Sequence, residues 1–159
     1  MKILGIDPGL RKMGWGVVIW KNNSFRYLDD GFFFQSDELE LGQKLLKIFD
    51  SLSLLIKKSK PDLIGIEQTF VGSGNISSLK LGMARGICIL TAAKLGIKIL
   101  EIQPKLVKKN ITGSGVASKD QVNLMVKKFL NIIPKSEDSS DALAVAMSIQ
   151  SKSIGTVSY

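Results

Sequence analysis

The sequence predicts an α/β fold in which a β-sheet of mixed direction is covered by helices. Three observations predict it. Short apolar runs rich in β-branched and aromatic residues crowd the first 34 positions. Farther on, such runs alternate with longer segments whose apolar residues recur every three or four positions. Hydrophobic residues make up 45% of 159 positions, enough for a chain of this length to bury a core. A meander of strands followed by strands alternating with helices gives a mixed sheet.

The elements follow in order. "KILGID" (2–7) is a short apolar run and reads as a buried strand. "GWGVVIW" (14–20) and "FRYLDDGFFF" (25–34) read as two more, joined through Lys21-Asn22-Asn23-Ser24 as a hairpin. Three antiparallel strands therefore open the chain. A helix is expected over 38–59, where Leu41, Leu45, Ile48, Leu52 and Leu55 form one stripe. Asp37, Glu38 and Glu40 at its start and Lys57, Lys58 and Lys60 at its end suit the helix dipole. Pro61 stops it. "DLIGIE" (62–67) is a fourth strand, followed by a flexible loop, "QTFVGSGN". A second long helix is expected over 76–95, with apolar residues on more than one face. One face can cover the sheet while another meets a partner chain, and full burial within one domain gives the same pattern. "IKILEI" (97–102) reads as the fifth strand. Pro104 opens a short helix to about 111, and Ser118 looks like the N-cap of a helix over 119–130. A last helix begins near Asp138 and carries Ala142, Val145, Ala146 and Ile149 on one stripe.

Composition narrows the chemistry. The chain has no histidine, which excludes histidine-dependent triads and histidine metal ligands. A metal site would have to be built from oxygen, which favours Mg²⁺ or Mn²⁺. The single cysteine, Cys88, lies in the apolar stretch "GICILTAA" and reads as a buried structural thiol. One cysteine cannot form an internal disulfide, and no apolar run approaches the ~18 residues of a membrane span. A soluble cytoplasmic protein is expected. The formal charge is +8, and the stretch from Lys98 to Lys135 holds eight lysines against Glu101 and Asp120. Such a surface attracts polyanions, although a merely solubilising surface has the same composition.

Carboxylates recur where chemistry is expected. "ILGID" and "LIGIE" are both apolar strands with glycine two residues before a terminal acid. If the two strands lie parallel and adjacent, Asp7 and Glu67 meet at one sheet edge, where α/β folds commonly build sites. Carboxylates that close repel unless a cation or proton lies between them. Asp138 and Asp141 share a face at the start of the last helix, whose apolar remainder must pack on the core. Four carboxylates suit one or two divalent ions, and a pair about 4 Å apart is a standard device for phosphodiester hydrolysis. Singly, each acid has a structural explanation: Asp7-Pro8-Gly9 as a turn, Asp138 as a helix cap. Glu67 is the exception, since a glutamate in an apolar context needs a partner. Their coincidence favours function.

The segments "GIDPGLRKMGWGV", "IEQTFVGSGN", "SSLKLGMARG", "ITGSGVASKDQV" and "DSSDALAVA" resemble, in that order, the Holliday-junction resolvases of the RuvC family. The first alone is weak, because similar turns occur in actin-like ATPases and sugar kinases; the ordered set, from about residue 3 to 150, is specific. The resemblance implies a ribonuclease-H-like fold: one domain over 1–159, with a five-stranded mixed sheet and helices on both faces. It implies a homodimeric endonuclease acting on four-way DNA junctions beside the RuvA–RuvB branch-migration motor. The expected cofactor is Mg²⁺, two ions per site, with Mn²⁺ able to substitute. Asp7, Glu67, Asp138 and Asp141 match the family's metal-binding catalytic acids. Some members carry histidine at the position of Asp138, so its share of the metal relative to Asp141 stays open. Lys108 and Lys119 match basic positions linked to DNA contact and catalysis, and Lys119 is counted with the catalytic set. Phe70 matches an aromatic that contacts bases near the crossover; a loop anchor is its structural alternative. Arg11, Lys12, Lys105 and Lys109 are further candidate DNA contacts, although each alone also reads as an ordinary turn or surface residue. Two other readings stand beside this one: a junction-binding protein without cleavage, and an actin-like nucleotide phosphotransferase.

Overall fold

The computed structural model describes residues 1–68 and 76–153, without the side chains of residues 77 and 150–153. The described elements are β1 (Lys2–Asp7), β2 (Lys12–Lys21), β3 (Ser24–Phe34), α1 (Leu41–Ser59), β4 (Leu63–Glu67), α2 (Ile76–Lys94), β5 (Ile99–Ile102), α3 (Pro104–Thr112), α4 (Lys119–Leu130) and α5 (Glu137–Ser153). The expected order of strands and helices is therefore present. The strands form one sheet in the order β3-β2-β1-β4-β5. β1 pairs antiparallel with β2, and β2 with β3; β1 with β4 and β4 with β5 are parallel. Among the described residues, no helix is long and apolar enough to cross a membrane.

Several boundaries differ from the expectation, each for a local reason. The hairpin between β2 and β3 turns on Asn22 and Asn23 alone. Both have positive φ, the conformation of a type I′ turn that matches the twist of the flanking strands. α1 begins at Leu41, not 38. Glu40 is its N-cap and exchanges hydrogen bonds with Gln43 in a capping box, which leaves Asp37 and Glu38 in the preceding turn. The acids near its start therefore do not occupy its first turn. Its inner stripe is Ile48, Leu52 and Ile56, while Leu41 at the stripe's expected start is exposed. β5 starts at Ile99. α5 is capped by Ser136, not Asp138: the backbone N–H groups of Ser136 and Ser139 each donate to the other's hydroxyl at 3.0 Å.

Strand alternation sorts the core into two layers. Leu4, Ile6, Met13, Val17, Ile64 and Ile66 face α1 and α2, where Ile48, Leu52, Ala84 and Cys88 meet them. Ile3, Val18 and Leu63 face α5, with α3 and α4 outside it. Also on the α5 face stand Gly5, Gly14, Gly16 and Gly65. A Cβ at Gly5 would lie 2.0 Å from the Ala142 carbonyl oxygen, and one at Gly14 2.0 Å from that of Asp138. At Gly16 and Gly65 it would meet Leu143 and Ile149 side chains at 2.6 and 2.4 Å. α5 thus rests in a trough of bare backbone. With helices on its other side too, every residue from Ala142 to Ile149 is buried, not the expected stripe alone.

Candidate active site

The glycine before each strand-end acid has a geometric meaning. Residues two apart on a strand share a face, so Gly5 admits α5 and Asp7 emerges beside its first turn. Gly65 and Glu67 repeat the arrangement on β4. β1 and β4 pair in register up to Ile6 and Ile66, which sets Asp7 and Glu67 side by side at the next position. The N-terminal turn of α5 brings Asp138 and Asp141 to the same place. Burial and the charges of Asp141, Glu67 and Asp138 raise the Asp7 carboxyl from 3.8 to about 7. Burial, then Asp141, raises Glu67, while Lys108 and Lys119 pull it back. Asp141 is raised mainly by burial, against the opposing pull of Lys119.

Two lysines divide the helix acids between them. Lys119 Nζ lies 2.9 Å from Asp141 and 3.9 Å from Glu137, and its hydrogen bond to Asp141 raises its pKa. The side chain remains 60% exposed, so it can still face a phosphate. Lys12 forms an ion pair with Asp138 and sits over the Phe32 ring, 4.5 Å from its centroid. Lys108, Lys119, Glu67 and Asp141 line a cleft of about 250 Å³, walled by Pro104, Val107, Val122 and Ala144. Among the described residues, no three acids are gathered around one point as ligands of a single ion. The donor set still suits a hard cation: it is oxygen only, and burial together with the charges of the neighbouring acids raises the Asp7 carboxyl to about 7.

Other sequence candidates fall elsewhere. Arg11 pairs with Asp37 at 3.0 Å and lies over Phe34, 5.9 Å from the ring centroid, rather than turning to the acids. Lys105 and Lys109 are exposed on α3. Phe70 lies outside the described residues. Burial pushes the Cys88 thiol up to about 12, in keeping with a structural role.

One residue escaped the sequence reading. Asp30 on β3 is 1% exposed and accepts hydrogen bonds from Tyr27 Oη at 2.6 Å, Ser139 Oγ at 2.5 Å and the Lys135 backbone N–H at 2.8 Å. It thereby ties the entry of α5 to the sheet, one residue from Asp138. The available signal was an acid pair, Asp29-Asp30, inside a strand otherwise rich in aromatics.

The strand order, the parallel β1–β4 pair and the acidic centre at the head of α5 define a protein of the ribonuclease-H-like class. Known proteins narrow the class. The model of the family "Crossover junction endodeoxyribonuclease RuvC" matches residues 3–149. The enzyme of that name from Ruegeria pomeroyi is 43% identical over 148 residues, covering 92% of this chain and 89% of its own. The Rhizobium leguminosarum enzyme is 38% identical over 148 residues, with 92% and 88% covered. Among solved structures, Thermus thermophilus RuvC in complex with a Holliday junction substrate superposes with a TM-score of 0.89 at 28% identity, covering 96% of this chain and 94% of that one. The chain belongs to the RuvC family of crossover junction endodeoxyribonucleases.

Proposed function

We propose that this chain resolves four-way DNA junctions by paired, symmetric, Mg²⁺-dependent nicks that leave 5′-phosphate and 3′-hydroxyl ends. The observation that carries the reading is the convergence of Asp7, Glu67, Asp138 and Asp141 on the α5 face, with Lys119 beside them, in a chain of this family. Asp7, Glu67, Asp138 and Asp141 are the residues that would hold Mg²⁺, or Mn²⁺ in its stead, as two ions per site. When bound, such ions lower the pKa of an attacking water and offset charge developing on the phosphate.

The chain's own groups do the rest. Asp7 must give up its proton before it can hold a cation, so acid suppresses activity. Lys119 and Lys108, which line the same cleft as Glu67 and Asp141, hold the scissile strand's phosphates against the acidic centre. Lys12 counters the Asp138 charge and reaches the same strand. Lys105, Lys109 and Arg11 extend the basic surface along the arms, and Phe70 contacts bases at the crossover. A homodimer about a two-fold axis pairs two such sites with two strands of equal polarity. α2 supports that interface: Ala84, Cys88 and Ala92 pack inward, while Leu79 and Leu90 stay 58% and 57% exposed. The same reading sets the enzyme in the cytoplasm, downstream of the RuvA–RuvB motor.

Cleavage of a labelled synthetic four-way junction, set against a linear duplex of the same sequence, tests the reading. With Mg²⁺, paired nicks are expected in the junction alone, and none with chelator. Binding without nicks across several junction sequences, with Mn²⁺ also tried, would sink it in favour of a binding protein.

A further inference from the structure

Two aromatic side chains stand exposed beside the acidic centre. Phe32 and Phe34 are 42% and 59% exposed on the edge strand β3, and being two apart they share a face. That face is the one carrying α5, since Asp30, two residues before Phe32, bonds to Ser139. Phe33 between them points the other way and packs with Trp15 in the opposite layer.

The strand register ties this pair to the site. Asp7 pairs with Gly14, and Gly14 with Phe32, so the three occupy one row across β1, β2 and β3. Two strand spacings put Phe32 roughly 10 Å from Asp7. That is about three stacked base steps, and fewer for an unstacked strand. The centre of the row is bare: Gly14 has no side chain, and the Asp138 backbone sits over it. Both rings already carry a cation, Lys12 at Phe32 and Arg11 at Phe34. Lys12 also joins the row to Asp138.

Resting on the junction-cleaving reading above, we propose that Phe32 and Phe34 form a stacking platform for unpaired bases of the cleaved strand next to the scissile phosphate. An exposed aromatic pair on an edge strand is a liability unless something covers it. A nucleic-acid strand matches both parts of the patch: bases stack on the rings while phosphates meet Lys12 and Arg11. The row continues directly into the acidic centre, so a strand held there has only to extend along it. The platform lies at the opposite edge of the sheet from β5, which assigns it to the strand on one side of the cut.

The test uses full-length protein carrying Asp7→Asn to prevent cutting, and four-way junctions with 2-aminopurine placed singly at the four nucleotides on either side of the cut. The expected result is quenched probe fluorescence at one or two adjacent positions on one side only. Phe32→Leu with Phe34→Leu should abolish that quenching and weaken junction binding roughly 5- to 100-fold, while Phe32→Tyr with Phe34→Tyr restores both. Unchanged affinity and unchanged quenching in the double leucine variant would overturn the platform while leaving junction binding intact. So would a change in sedimentation alone, which would assign the rings to a protein contact. If wild-type protein neither cuts nor binds junctions, the underlying reading fails first, and the platform with it.

Discussion

Asp7 and Asp30 are both aspartates on strands of one sheet, on the face that carries α5, and each lies beside that helix's first turn. Their surroundings are opposites. Three donors surround Asp30: a phenol, a hydroxyl and a backbone N–H. Around Asp7 the nearby charges are mostly carboxylates, and its own carboxyl is raised to about 7. A buried acid whose lone pairs are met by donors is part of the scaffold. One that faces other acids is unfinished without a cation or a proton. The difference is also one of labour: Asp30 fixes where α5 enters, and α5 delivers Asp138 and Asp141 to Asp7.

Three experiments sharpen or break this contrast. The largest effect is expected for Asp7→Asn, which removes a proposed cation ligand without removing volume. Junction cleavage should fall by about a thousandfold or more while junction binding persists, read by single-turnover cutting beside a gel-shift titration. Retained Mg²⁺-dependent cutting would erase the distinction. Next is Asp30→Ala, which orphans three donors at once. It should cost about 2–4 kcal/mol of unfolding free energy in urea, with cleavage lost in step with folding. If activity vanished at undiminished stability, Asp30 would belong to the chemistry instead.

The smallest effect concerns pH in the metal-free protein. The Asp7 carboxyl is harder to ionise folded than unfolded, so the fold is penalised only once the acid ionises. The penalty is absent below about pH 4, grows between pH 4 and 7 and is complete above. Comparing thermal unfolding of wild type and Asp7→Asn in chelator should therefore show the variant gaining relative stability across that interval. A plateau of about 1–2 kcal/mol is expected after solvent screening. A difference that did not change with pH would mean that neither burial nor the neighbouring acids perturb Asp7.

Much of this was legible in the sequence, for identifiable reasons. Alternation and helical stripes gave the order of elements, and two apolar strands ending in acids placed Asp7 beside Glu67. Asp30 was hidden because its partners come from residues 27, 135 and 139, and only the folded chain brings them together. The start of α1 differs from the expectation because the acids at 37 and 38 mimic a favourable first turn, whereas the Glu40–Gln43 exchange sets the boundary. Phe32 and Phe34 are invisible as a pair in the sequence because "GFFF" reads as core, and only the folded chain leaves two of the three rings exposed. The glycines of "ILGID" and "LIGIE" stand out in the sequence but their reason does not, since their role depends on a helix more than 70 residues farther along the chain.

That trough has a consequence for tolerance to change. Where α5 crosses Gly5 and Gly14, main chain meets main chain, so the spacing between the acid on β1 and the acids on the helix contains no adjustable spacer. The aliphatic layer on the far side of the sheet, Leu4, Ile6, Ile64 and Ile66 against α1 and α2, takes no part in setting it. That layer can be rebuilt from other apolar side chains of similar volume while the site keeps its dimensions. A single methyl group added at Gly5 could not be absorbed in that way. The enzyme's working distances are insulated from the composition of half its core and exposed at a few hydrogen atoms.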